Sequence, residues 1–295
     1  MKVLLHALAW LALIPVRLLG RLPLPLARRL VRPLAPSLRL AMRPRTRVVR
    51  RNLELCFPEQ SDGWREGMLR AHYRHLAESL AEIAQAWYRP GRLDQRYGEL
   101  VGLEHLALVR ESGQGVLLVT GHVTCLELGA RLFGEQVEAR GIYRPLRNRV
   151  LNQAQNRGRG RYAEAMIPRD DLRAMVRHLR AGGVLWYAPD QDFGPERSLF
   201  APFFGVPTAT ARGLLELARL GRAVVVPMYP IKDELSGRVI VHIEPPLEDF
   251  PGPEPEIDLA RFNAFLERRI REAPAQYWWL HKRFKTAPPG QARRY

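Results

Sequence analysis

The 295-residue chain is poor in cysteine, with only Cys56 and Cys125. Neither sits in a CxxC or Cys/His ligand spacing, so a disulfide frame and a zinc module are excluded and a reducing compartment is indicated. Carboxylates are missing from the first 53 residues, which carry Lys2 and 11 arginines; the first acid is Glu54. Most of the formal net charge of +16 therefore belongs to this arm, since the remaining 242 residues set 34 basic groups against 30 acidic ones. A nucleic-acid binder spreads its basic surface over the folded domain, so no nucleic-acid partner is expected. A Leu-rich basic arm points to a membrane surface. Long apolar runs are also lacking: Val3 to Val16 is uncharged for only 14 residues, short of the roughly 20 that a spanning helix needs. No small-residue cleavage site follows, so the arm is expected to be retained. Arg17, Arg21, Arg28, Arg32, Arg39 and Arg43 fall within about 80° on an ideal helix, a stripe suited to anionic headgroups. The alternative is an amphipathic helix packed on the domain.

An apolar content of 46% and a charged content of 26% suit an ordinary globular core. The arm, residues 1–45, is expected to precede one domain, residues 46–295. Trp64, Met68, Tyr73, Leu76, Leu80, Ile83 and Trp87 recur at helical steps, predicting a long helix over 64–87. Apolar runs predict strands at 115–122, 137–143, 183–190, 223–230 and 238–247, and helices are predicted at 124–133, 172–180, 209–220 and 258–272. This alternation predicts an α/β fold, a central mostly parallel sheet flanked by helices, with its chemistry at the carboxyl ends of strands.

Three of those ends carry reactive side chains. After GVLLVTGH, His122 and Glu127 stand five positions apart. On one straight helix they would lie about 140° apart, but with His122 in the turn and Glu127 in the first helical turn the carboxylate can reach the imidazole. Such a dyad would make His122 a general base toward a hydroxyl. Thr124-x-x-Glu127 also matches a capping box with no catalytic role. No G-x-S-x-G elbow occurs, which favours direct attack by an acceptor hydroxyl. The second end, Gly141-Ile142-Tyr143-Arg144-Pro145, opens a stretch with seven arginines and no acid, from Arg140 to Arg161. Arg144, Arg157, Arg159 and Arg161 are candidates for binding phosphate or an acidic protein, against the plainer reading of a solvated Arg-rich helix. The third, Asp190-Gln191-Asp192-Phe193-Gly194, offers two carboxylates for a polar headgroup or for capping a turn, and too few convergent oxygens for a metal.

His122-x4-Glu127, Gly141-x-Tyr143-Arg144, Asp190-x-Asp192 and Val226-Pro227 follow the order of the four motif blocks of glycerolipid-type acyltransferases. More narrowly, Arg51-Asn52-Leu53-x-x-Cys56-Phe57-Pro58, Tyr143-Arg144-Pro145, Asp190-Gln191-Asp192-Phe193-Gly194, Ala201-Pro202-Phe203-Phe204-Gly205 and the tail from Gln276 to Lys285 resemble the late lipid A acyltransferases of Gram-negative bacteria. Where that family often has Asn-Asp-Asn after the Tyr-Arg-Pro, this chain has Leu146-Arg147-Asn148. The resemblance implies an inner-membrane enzyme facing the cytoplasm that moves an acyl chain from acyl carrier protein onto the hydroxyl of an acyl chain of a lipid A precursor. It implies His122 as base with Glu127 as its partner, and Arg144, Asn148, Asp190, Asp192 and the Arg157–Arg161 group as substrate contacts. No cofactor or metal is implied, because the thioester is already activated. The competing readings are an acyltransferase for another glycolipid or lysophospholipid, and a non-catalytic basic membrane-binding protein.

Overall fold

The computed structural model describes residues 2–93 and 95–295, and their side chains except at residues 2–9 and 12. Four helices open the chain: α1 (Lys2–Leu19), α2 (Leu24–Val31), α3 (Ala35–Ala41) and α4 (Arg43–Cys56). The long α5 (Asp62–Tyr88) follows, then β1 (Gly98–Val101), α6 (Leu103–Glu111), β2 (Val116–Val119), α7 (Leu126–Gly134), β3 (Arg140–Tyr143), α8 (Arg149–Arg159), β4 (Ala165–Pro168), α9 (Leu172–Arg180) and β5 (Val184–Tyr187). The rest comprises β6 (Ser198–Phe203), β7 (Val206–Ala211), α10 (Gly213–Gly221), β8 (Val224–Lys232), β9 (Val239–Ile243) and α11 (Pro255–Glu272).

Seven strands form one sheet in the order β1-β9-β8-β2-β5-β3-β4. The five from β8 to β4 run parallel, while β9 is antiparallel to β8 and carries β1 alongside it. Val116-Leu117-Leu118-Val119 is fully buried at the centre, the uninterrupted apolar run of a strand covered on both faces. The α/β expectation with a mostly parallel sheet therefore holds.

Two expectations change locally. The helix read over 209–220 is shorter, because Val206–Ala211 pairs with β6 as a hairpin. Its two-residue turn, Phe204-Gly205, has φ of 50° and 70°, the left-handed pair that such a tight hairpin requires. The middle of the arm's arginine stripe, Arg28, Arg32 and Arg39, is paired with acids of the protein, while Arg17, Arg21 and Arg43 are exposed. α5 brings buried Glu78 and Glu82 to that interface; Arg28 donates to Glu82 at 2.9 Å, Arg32 pairs with Glu78, Arg39 with Glu66 at 2.6 Å, and Lys232 from the end of β8 reaches both buried glutamates. Acids inside α5 supply the reason, since a cation shielded from water is held where an opposite charge can be reached. The arm also exposes apolar side chains: Leu11, Ile14 and Leu18 on α1, Leu26 and Leu30 on α2. No described helix is long and apolar enough to cross a membrane.

Candidate active site

Parallel pairing of β2 with β5 aligns Val116 with Val184 and Val119 with Tyr187. Carried three residues beyond the strands, the same register sets His122 against Asp190. The backbone N–H of His122 donates to Asp190 Oδ2 at 2.8 Å, and its Nδ1 stands 2.5 Å from Oδ1. Asp190 is 2% exposed. Gly121 lets the turn pack closely on α11: a Cβ there would lie 2.9 Å from Leu266 Cδ2. The aromatic tail fixes the turn from the other side. Trp278 N–H donates to the His122 carbonyl and Thr124 N–H to the Gln276 carbonyl, both at 2.9 Å, around a bridge between Val123 and Tyr277.

With Nδ1–H given to the carboxylate, Nε2 keeps its lone pair, facing the Gln191 amide at 3.4 Å. Burial opposes charging the imidazole, but the Asp190 charge and hydrogen bond outweigh it and leave the His122 pKa above its ordinary value. For Asp190, burial pushes upward and the partnership with His122 pulls the carboxyl down to about 2.

Glu127, the expected partner of His122, is engaged elsewhere. Its Oε2 accepts from Trp87 Nε1 at 2.7 Å and Tyr162 Oη at 2.9 Å, and Arg159 binds its Oε1 through Nε at 3.1 Å and through a terminal nitrogen. These donors saturate the carboxylate. Burial would raise its pKa, but Arg159 and the two neutral donors hold it below the ordinary range. The capping box is not formed either: the residue before α7 is Cys125, with no side-chain cap.

Arg159 therefore belongs to the interior of the site and not to a solvent-facing patch, whereas Arg157 and Arg161 are exposed, Arg161 touching the Arg89 carbonyl at 3.4 Å. Arg144 is exposed at the end of β3 and lines the same cavity as His122. Two expected substrate contacts are occupied structurally. Asn148 Oδ1 caps α8, accepting from Val150 and Leu151 N–H at 2.9 and 3.2 Å. Asp192 accepts from Gly194 N–H at 2.9 Å and from Thr286 N–H and Oγ1 at 2.7 and 2.9 Å, and its own N–H donates to His281 Nε2 at 3.1 Å. Burial holds the His281 pKa down to about 4, so this ring is a neutral acceptor. Trp87, read in the sequence only as the last apolar position of the 64–87 helix, and Tyr162, which carries no local signal, were not expected at the site.

His122, Glu127, Arg144 and Arg159 line one cavity of about 360 Å³ whose other walls include Ile83, Phe133, Ile142, Met166 and Trp186. An imidazole thus opens onto a largely apolar hollow with cations at its edge. Among the described residues, no three His, Cys, Asp or Glu side chains converge as metal ligands.

Residues 1–286 match the family model of bacterial lipid A biosynthesis acyltransferases. The chain is 41% identical over 257 residues to the lipid A biosynthesis lauroyltransferase of Escherichia coli K12, covering 85% of this chain and 82% of the relative. It is 37% identical over 252 residues to the palmitoleoyltransferase of the same strain, with the same two coverages, and 29% identical over 246 residues to its myristoyltransferase, covering 83% and 76%. The match of residues 1–286 to the family model, together with a 41% identical relative covered over most of both chains, places this chain in the bacterial lipid A biosynthesis acyltransferase family.

Proposed function

We propose that this protein transfers a fatty acyl group from an acyl carrier protein thioester onto the hydroxyl of an acyl chain of a lipid A precursor, at the cytoplasmic face of the inner membrane. The observation that carries the reading is His122 lining an apolar cavity with its Nδ1 on Asp190, which leaves Nε2 for the substrate beside the Gln191 amide. The donor chain lies along Phe133, Met166 and Trp186, which puts its thioester near His122. The acceptor oxygen attacks the carbonyl carbon, the new C–O bond forms and the C–S bond breaks. The hydroxyl proton passes to Nε2 and from there to the departing thiolate. Arg144 offers a fork of donors for a phosphate of the acceptor or for the developing oxyanion. The exposed Arg157 and Arg161 suit an acidic carrier protein. Glu127, held anionic, keeps Arg159 fixed in the cavity wall. The arm's exposed leucines and basic groups provide the membrane contact.

Mass spectrometry of lipid A from cells with and without the gene tests this directly. Loss of one secondary acyl chain is expected, restored by the wild-type protein and not by His122→Ala. An unchanged lipid A profile would reject the reading.

A further inference from the structure

We infer that Asp190, rather than Glu127, is the positioning residue that holds His122 in the form able to take a proton. The inference deepens the acyl-transfer reading and rests on it. Three observations carry it. First, Asp190 holds His122 at two points, the backbone N–H and Nδ1, so both the ring's tautomer and its place in the turn are set by one buried carboxylate. Second, Glu127 has no capacity left for the imidazole, because Trp87, Tyr162 and Arg159 occupy its oxygens. Third, the juxtaposition is built into the sheet. The β2/β5 register sets residue 122 against residue 190.

A hydrogen bond from Nδ1–H to a carboxylate leaves the lone pair on Nε2, which faces the cavity, and it stabilises the imidazolium formed when the acceptor proton arrives. An amide at position 190 can keep the backbone contact but presents its NH2 to Nδ1. That favours the opposite tautomer, with the proton on Nε2 and no base toward the substrate. The groups facing this imidazole are Asp190 from the end of β5, Arg159 from α8 and His281 from the tail. Of these, only Asp190 favours its protonation.

The test uses the full chain in detergent, with lauroyl-acyl carrier protein as donor and a phosphorylated, acylated glucosamine disaccharide as acceptor. Asp190→Asn is expected to lower kcat by about 10²- to 10⁴-fold, to leave the donor KM within about threefold, and to move the acid limb of the residual activity to lower pH. In a His122→Ala background the same change is expected to cost little more, since a residue acting through the imidazole has nothing left to position. An active His122→Ala protein would reject the acyl-transfer mechanism. An inactive His122→Ala beside a near wild-type Asp190→Asn would reject this inference alone. A loss from Asp190→Asn that persists in full in the His122→Ala background would also overturn it. Nitrogen-15 NMR of the wild-type histidines covers the case of a variant that fails to fold: above its pKa, His122 is expected to carry its proton on Nδ1, and a proton on Nε2 would overturn the assignment.

Discussion

At the residue scale the His122–Asp190 pair makes opposite demands on pH. A base must be neutral, and the His122 pKa is raised, so kcat/KM is expected to climb with pH along a limb centred above the roughly 6.5 of a free histidine. A pH profile centred below that value would show that the charge of Asp190 does not govern the imidazole. Stability runs the other way. The depressed Asp190 contributes above its unfolded pKa of about 3.9 and is lost as pH falls toward its folded value, while the raised His122 contributes below about 6.5 and is lost as pH rises through its folded pKa. The destabilisation caused by Asp190→Asn is therefore expected to be largest between those limits in denaturant melts. Glu127→Ala strands the mostly buried Arg159, and its loss of activity is expected with a fall in stability on the order of 3 kcal/mol, less whatever water recovers for the guanidinium. Unchanged melting would mean that Glu127 acts in chemistry alone. The dyad was half legible in the sequence. GVLLVTGH and GVLWYAPD align from Gly115 and Gly183, and that alignment already places His122 over Asp190. The H-x4-E spacing drew attention to the local carboxylate, whereas parallel neighbours 68 positions apart decide the contact. Asn148 and Asp192 meet backbone N–H groups for a related reason: short polar side chains at turns satisfy backbone donors first.

Among the elements, those with strong periodicity were legible. The helix over 172–180 appears with those bounds, and the one over 64–87 extends by two residues at its start and one at its end. The β6/β7 hairpin was not, because Thr-Ala-Thr-Ala has no period that separates strand from helix and only the pairing partner decides. The link between the arm and the site was invisible as well. Leu13 of α1 is buried in a small cluster with Val150 and Ala154 of α8, the helix that ends in Arg159. From its other side α8 meets α5, where a Cβ at Gly158 would stand 2.3 Å from the Trp87 ring. Trp87 and Arg159 both end on Glu127. Leu13→Ala is expected to cost about 2 kcal/mol locally, to speed amide exchange across α8 while leaving α9 unchanged, and to lower kcat/KM. Unaltered exchange in α8 would show that α1 does not brace the cavity.

For the whole molecule, the +16 charge was legible as a quantity but not in its direction. Composition located the excess in the arm, yet the acids that absorb Arg28, Arg32 and Arg39 lie on α5, so the arm is built into the fold rather than appended to it. Removing residues 1–40 would take Arg28 and Arg32 away from Glu78 and Glu82, leaving Lys232 as their charged partner, and uncover Ala81, which packs against Ala27 and Val31; such a truncation would lower stability and membrane binding together. Exposed side chains separate the two effects. Leu11, Leu18 and Leu30 are more than half exposed, and Arg17, Arg21 and Arg29 beside them are exposed as well. Partial burial of three leucines in an interface supplies roughly 1 kcal/mol each. The triple change Leu11→Ser, Leu18→Ser and Leu30→Ser is expected to lower partitioning onto anionic vesicles by about 10²-fold, to leave the melting temperature within a few degrees, and to preserve turnover of detergent-dispersed acceptor. The wild-type preference for anionic over zwitterionic vesicles is expected to shrink with added salt, because the basic groups on this face are screened. Partitioning unaffected by the triple change would move the membrane contact away from α1 and α2, to the exposed Leu146 and Leu151 where β3 leads into α8.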